Sequence, residues 1–124
     1  MTVLVVDRDV FQLRRITREL GKIVPDARVI GCRRPKDAPT IASSEGCDVL
    51  LSGIDLGKDK YEGLDLAKEL QRINPRVNVI FITGYAENEV ASEVVQMRIS
   101  GFVRKPYRQE RLAEEFANLR YAVS

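Results

Sequence analysis

A chain of 124 residues with a formal net charge of +2, 44% hydrophobic and 31% charged residues, has the length of one domain and an ordinary soluble composition. It contains no histidine, which removes imidazole general bases, His-ligated metals and phosphohistidine chemistry. No apolar run approaches a membrane span, and an apolar strand begins so soon after Met1 that no room is left for a signal peptide, so a cytoplasmic protein is expected.

Strand 1 is expected at Thr2–Val6, ending in the polar turn Asp7-Arg8-Asp9. Apolar residues then fall at Val10, Leu13, Ile16, Leu20 and Ile23, the spacing of a helical stripe. Asp9 with Gln12 reads as a capping box, so helix 1 should begin at Val10, and Pro25-Asp26 should break it. Strand 2 is expected at Arg28–Gly31. Pro35 suits a first turn, whereas Pro39 would clash in a helix interior, so helix 2 should start near Asp37 or Ala38, or be kinked, and end at Gly46. Strand 3, Asp48–Gly53, contains the continuous apolar run Val49-Leu50-Leu51, which suits burial on both faces. A polar, glycine-punctuated loop follows over Ile54–Glu62.

Helix 3 is expected from about Gly63 to Ile73, with Leu64, Ala67, Leu70 and Ile73 on one face and Asn74-Pro75 as the stop. Strand 4 is Val77–Ile82. Helix 4 should span about Glu87–Met97 with Ala91, Val94 and Val95 inward. Strand 5 is Phe102–Arg104, and helix 5 should run from about Arg108 to Ala122 with Leu112, Phe116, Leu119 and Val123 inward.

Five strands alternating with five helices over a single domain, residues 1–124, predict an α/β fold. The expected architecture is a doubly wound five-stranded parallel sheet of the flavodoxin-like order 2-1-3-4-5. Ligands then belong at the carboxyl ends of strands 1 and 3, where Asp7, Gly53, Thr83 and Lys105 converge. Cys32 and Cys47 fall at opposite edges of this sheet, so two unpaired thiols are expected. The arginines are dispersed along the chain, from Arg14, Arg15 and Arg18 through Arg33 and Arg34 to Arg104, Arg108 and Arg111. That pattern favours a solvated surface or a protein-docking patch over a nucleic-acid footprint.

Four fragments carry a resemblance: CDVLLSGIDLGKDKYEG (Cys47–Gly63), VLVVD (Val3–Asp7), VIFIT (Val79–Thr83) and FVRKP (Phe102–Pro106). Together they resemble the receiver domain of bacterial two-component response regulators, over almost the whole chain. The resemblance implies that Asp7 matches an acid that helps to hold Mg²⁺, and that Asp55 matches a position offering its backbone carbonyl to the metal. Thr83 and Phe102 match the family's switch pair. Lys105 matches the lysine of a Lys-Pro pair with a cis peptide bond, whose ammonium normally reaches the phosphoacceptor. Two positions depart from the pattern: Gly53 stands where the family places its phosphoacceptor aspartate, and Arg8 stands where a second acid is usual.

Glycine offers neither nucleophile nor ligand oxygen, so no aspartyl phosphate can form at Gly53, and strand alternation turns Ser52 to the other face. Lys105 should then pair with Asp7 or Asp55, or turn to solvent. Asp9 is expected to cap helix 1, with a replacement acid as its other role. Asp7, helped by Asp9 or Asp55, against Arg8 and Lys105 predicts weak Mg²⁺ binding or none, and no other cofactor is expected.

The expected function is a non-enzymatic signalling module that acts by protein contact without its own phosphorylation. The resemblance implies a docking face of helix 4, strand 5 and helix 5, where Glu87, Glu89 and Glu93 lie near Arg104, Tyr107, Arg108 and Arg111. A kinase, an output domain or a second copy in a two-fold homodimer would be the partner, with no membrane and no direct nucleic-acid binding. Two alternatives stay open. One is an ordinary phosphorylatable receiver carrying a substitution at Gly53. The other is a flavodoxin-like small-ligand binder, against which the turn Asp7-Arg8-Asp9-Val10 lacks Gly, Ser and Thr to cradle a phosphate.

Overall fold

The three most apolar stretches become the three inner strands. β1 (Thr2–Val6), β3 (Val49–Ser52) and β4 (Asn78–Thr83) are buried almost throughout, while β2 (Arg28–Cys32) and β5 (Gly101–Arg104) close the two edges. The sheet is parallel in the order β2-β1-β3-β4-β5, as the alternation of elements predicts. The register aligns the strands at their carboxyl ends: Val6 lies beside both Cys32 and Ser52, Ser52 beside Phe81, and Thr83 beside Arg104. The computed structural model describes residues 1–57, 59, 61–95 and 97–123, with side chains described as far as Leu119.

Strand alternation sorts the core into two layers. Val3, Val5, Val49, Leu51, Ile80, Ile82 and Val103 pack against α1 (Val10–Ile23) and α5 (Gln109–Val123) through Ile16, Leu20, Leu112, Phe116 and Leu119. Leu4, Val6, Leu50, Val79 and Phe81 point the other way. They meet α2 (Ala38–Glu45), α3 (Glu62–Ile73) and α4 (Ala91–Val94) through Ala42, Leu64, Ala67, Leu70, Val90 and Val94. Truncating a buried leucine such as Leu50 in such a core costs about 2–5 kcal/mol.

Helix ends follow local chemistry. The Asp9 carboxylate accepts from the Phe11 and Gln12 amides, so α1 starts at Val10. The reciprocal half of the cap is not the Gln12 side chain that the sequence suggests, because the Asp9 amide donates to Asp7 Oδ1 at 2.8 Å. Around the two prolines the chain forms a 3-10 turn, Pro35–Asp37, and α2 begins at Ala38 with Pro39 in its first turn, where a missing N–H costs nothing. Both cysteines are buried free thiols.

Three sequence expectations are corrected. Helix 4 is a 3-10 turn, Glu87–Glu89, and a single α-turn, Ala91–Val94, rather than a continuous helix to Met97. Ala86 offers no capping side chain, and the β-branched Val90, Val94 and Val95 have low helix propensity. Its buried face is Val90 and Val94, while Ala91 is exposed and Val95 is 75% exposed. Ile73, the last residue of α3, is 42% exposed instead of inward. Leu112, Phe116 and Leu119 of α5 face the core as expected, and the Val123 side chain lies outside those described.

Candidate functional site

Gly53 leaves the central strand β3 at the carboxyl edge of the sheet, between the ends of β1 and β4. What fixes this exit is a backbone contact. The Gly63 amide at the start of α3 donates to the Ile54 carbonyl at 2.7 Å, and a Cβ on Gly63 would lie 1.8 Å from the Gly53 carbonyl oxygen. Only glycine permits that approach. Position 53 is tight but not closed: a Cβ there would press on Leu56 Cδ2 at 3.3 Å, and that side chain would have to give by a few tenths of an ångström. Ser52, buried on the α3-facing side, donates its hydroxyl to the Gly53 carbonyl at 2.9 Å.

Among the described residues around this exit, Asp7, Arg8, Asp55 and Lys105 each have a local partner. Lys105 Nζ lies 3.9 Å from Asp7 Oδ2, joining the ends of β5 and β1. Asp7 Oδ1 also accepts the Asp9 amide. Asp55 is exposed, and its Oδ1 accepts the Gly57 amide at 2.9 Å in a tight turn where Gly57 takes a φ of 98°. Arg8 does not reach into the pocket, as its sequence position suggests. Its aliphatic stem packs on Gly57, and its guanidinium donates to both oxygens of Glu62 in the first turn of α3, at 3.1 and 3.3 Å. Thus Arg8 ties the β1–α1 turn to the β3–α3 loop. Among the described residues no group of three or more carboxylates or thiols converges in the manner of a metal site.

Thr83 closes β4, is 5% exposed, and accepts the Tyr85 amide at its hydroxyl, 3.2 Å away. Its carbonyl accepts the Lys105 amide at 2.7 Å, next to the cis Lys105–Pro106 bond. Phe102 is half-buried against the α4-facing layer.

The face expected to meet partners is altered by contacts that the sequence analysis missed. Tyr107 is buried, turned towards α1, and its hydroxyl donates to Glu19 Oε1 at 2.7 Å. Arg15 sits over the Tyr107 ring at 4.9 Å, lies 3.8 Å from Glu19, and donates to the Tyr107 carbonyl. Burial first, and the Glu19 hydrogen bond second, raise the Tyr107 phenol well above its ordinary range. Arg111 is equally committed, to the buried Glu115 at 2.6 Å and to the Phe102 carbonyl at 3.0 Å. Glu89 is exposed, but its carboxylate caps the Ala86 amide at 2.9 Å. Glu93 is half-buried and accepts from the Ser92 hydroxyl. Arg104 and Arg108 remain exposed. The clue to Glu19 was its place within the inward arc between Ile16 and Leu20; Glu115 beside Phe116 gave the same signal.

With this geometry in hand, three comparisons bear on identity. A family model described as the response regulator receiver domain matches residues 3–117. Nodulation protein W of Bradyrhizobium diazoefficiens is 27% identical over 112 residues, and the transcriptional regulatory protein TdiR of Thauera aromatica is 26% identical over 113. These alignments cover 90% and 91% of this chain but 48% of each relative, so the chain spans about half the length of the curated relatives it matches. A solved response regulator receiver domain protein from Clostridium thermocellum superposes with a TM-score of 0.82 at 21% identity, covering 98% of this chain and 97% of that one. A CheY-like receiver domain protein from Methanospirillum hungatei gives a TM-score of 0.83 at 21% identity, covering 95% and 91%. At such identities the structural likeness speaks for the fold.

Proposed function

The chain belongs to the response regulator receiver domain family, and we propose that it is a two-component signalling module that works by protein contact, without an aspartyl phosphate of its own. Receiver domains interact with kinases and output domains and bind Mg²⁺ at their phosphorylation site. The observation that carries the narrower reading is Gly53. It stands at the exit of the central strand, on the ligand edge of the fold, and by the family resemblance it occupies the acceptor position. No nucleophilic side chain is attached there.

The surrounding residues do not fit a divalent metal either. Asp9 is engaged as a helix cap, Asp55 in its turn, and Asp7 with Lys105 and the Asp9 amide, while Arg8 takes the place of a second acid. Mg²⁺ needs carboxylates free to face it, so weak binding or none is expected. The docking face formed by α4, β5 and α5 is proposed in reduced form. Arg104 and Arg108, with Glu87, present open charge there, whereas Tyr107 and Arg111 support the fold. A kinase, an output domain or a second copy would dock on it in the cytoplasm. Among the described residues no helix is long and apolar enough to cross a membrane.

The test is intact-mass measurement after incubation with acetyl phosphate and Mg²⁺. The unaltered chain should gain no phosphate. Gly53→Asp, which presses on the Leu56 side chain and is checked for folding by circular dichroism, should label slowly at most, whereas Gly53→Asp with Arg8→Asp should label much faster and bind Mg²⁺ more tightly. Robust labelling of the unaltered chain would identify another acceptor, Asp55 or Asp9 first, and would overturn the reading.

A further inference from the structure

The two edges of the sheet are finished differently. Along β5, side chains of α5 cover the border: Arg111 donates to the Phe102 carbonyl, and the Glu115 carboxylate lies against Gly101. β2 has no such cover. Its ladder with β1 is fixed at both ends, where the Arg28 amide donates to the Met1 carbonyl and the Asp7 amide donates to the Cys32 carbonyl. Alternate residues of a parallel strand face the same neighbour. Arg28, Ile30 and Cys32 therefore turn their peptide groups to β1, and Val29 and Gly31 turn theirs outward. Among the described residues, no hydrogen-bond partner meets those outward groups. Gly31 is exposed, so the border is open at that point.

A bare strand edge is a template for another strand, and proteins often blunt it with a proline, a bulge or a charge. β2 contains no proline, its register with β1 is unbroken, and its one charged residue, Arg28, is engaged by Glu45 at 2.7 Å. The segment is also complementary to itself. When it is laid antiparallel against a second copy about a two-fold axis at Ile30, Val29 faces Gly31 of that copy, and Gly31 faces its Val29. These are the outward-facing residues, so each pair exchanges both of its hydrogen bonds. The Val29 side chain then lies beside a residue that has none, and the two Ile30 side chains meet on the α2 side of the sheet. Continued in the same register, Asp26 comes opposite Arg34 of the second copy, and the symmetry makes that contact twice. Both residues are exposed, and among the described residues neither takes part in an ion pair. A slip by one residue would set outward peptide groups against inward ones and lose the charge match.

We propose that the free edge of β2 is a self-association surface, on which a second copy of this chain lays its own β2 antiparallel, so that one sheet runs through both copies. Growth stops at the dimer, because the β5 edges left at its two ends are covered by α5. A strand of five residues buries far less than the roughly 1,200 Å² of a standard stable interface. The dimer is accordingly weak and reversible, with a Kd of about 0.1 mM. This edge is separate from the α4–β5–α5 face, and the proposal does not depend on whether position 53 is phosphorylated.

Sedimentation equilibrium of the full chain up to about 1 mM should show a reversible monomer–dimer equilibrium. Hydrogen exchange read by NMR over the same range should show the Val29 and Gly31 amides becoming protected as concentration rises, while those of β5 do not. Asp26→Arg and Arg34→Asp, made separately, each set like charges opposite one another at both symmetric contacts and should weaken dimerisation by about tenfold. Mixing the two variants, or combining both substitutions in one chain, re-creates opposite charges at both contacts and should restore it. Gly31→Pro removes an outward donor while leaving the bonds to β1, and should abolish dimerisation, with circular dichroism to check the fold. Arg104→Glu with Arg108→Glu, on the other face, should leave the equilibrium unchanged. A chain that stays monomeric at about 1 mM overturns the proposal. So does a failure of the mixed charge variants to recover, or a dimer that dissolves with the Arg104 and Arg108 substitutions and ignores those at Asp26 and Arg34.

Discussion

Two of the ion pairs made by the segment that runs from β5 into α5 are built on opposite terms. Lys105 and Asp7 stand 3.9 Å apart at the open carboxyl edge, with the lysine side chain 34% exposed. Arg111 and Glu115 meet at 2.6 Å, Glu115 is 6% exposed, and its carboxylate lies so close over Gly101 that a Cβ there would fall 2.2 Å from Oε2. The first pair is made of the residues that the receiver motif singles out, and it is loosely held. The second comes from a residue that reads as a surface arginine, and it locks α5 to the edge strand. Resemblance to a signalling site and contribution to stability therefore fall on different residues a few positions apart.

Breaking the tighter pair should have the larger effect. Arg111→Gln leaves the Glu115 carboxylate buried without its cation and should lower the unfolding free energy by about 3 kcal/mol, read from urea titration. That figure is the lower end of the usual range because the Arg111 side chain is 43% exposed. Adding Glu115→Gln should recover part of the loss.

A second contrast between buried and open groups appears in alkali. Burial pushes the Cys47 thiol up from 9.0 to about 11. The folded state therefore holds the proton more tightly than the unfolded chain does. This contribution is complete below pH 9 and is lost as the pH rises from 9 towards 11. The amount at stake is about 2–3 kcal/mol, and Tyr107, also raised, acts in the same direction at higher pH. Cys47→Ala should flatten the fall in stability measured over that window. At the open edge the effect should be smallest: Lys105→Met should change stability by less than about 1 kcal/mol. A loss as large as that of Arg111→Gln would abolish the distinction between the two pairs.

Much of the fold is legible in the sequence because the inner strands are nearly pure apolar runs, and because alternation of strands and helices leaves few topologies. The late start of α2 is legible for a similar reason, since two prolines four residues apart permit little else. α4 is not, because a periodic pattern is only a necessary condition for a helix, and here capping and propensity both oppose it. At the site, the pairing of Lys105 with Asp7 can be anticipated once both strands end at one edge. The roles of Tyr107 and Arg111 cannot, because their partners depend on side-chain direction across packed elements, with Glu19 lying 88 residues from Tyr107. Arg8 shows the same limit, since its partner Glu62 lies 54 residues away.

The contact of Gly63 with the exit of β3 has a consequence for how the chain tolerates change in length. The segment from Ile54 to Gly63 begins and ends at one hydrogen bond of 2.7 Å, so it is a closed bight whose two ends are already moored to each other. Residues added inside it neither push α3 away from the sheet nor shift the strand register. Extending such a closed segment costs only the slow logarithmic growth of loop entropy, about 0.6 kcal/mol for each doubling of its length. The exposed position around Asp59 is therefore the natural berth for a grafted epitope or reporter tag, provided that the buried Ile54 and Leu56, Gly57 under Arg8, and Gly63 are left untouched.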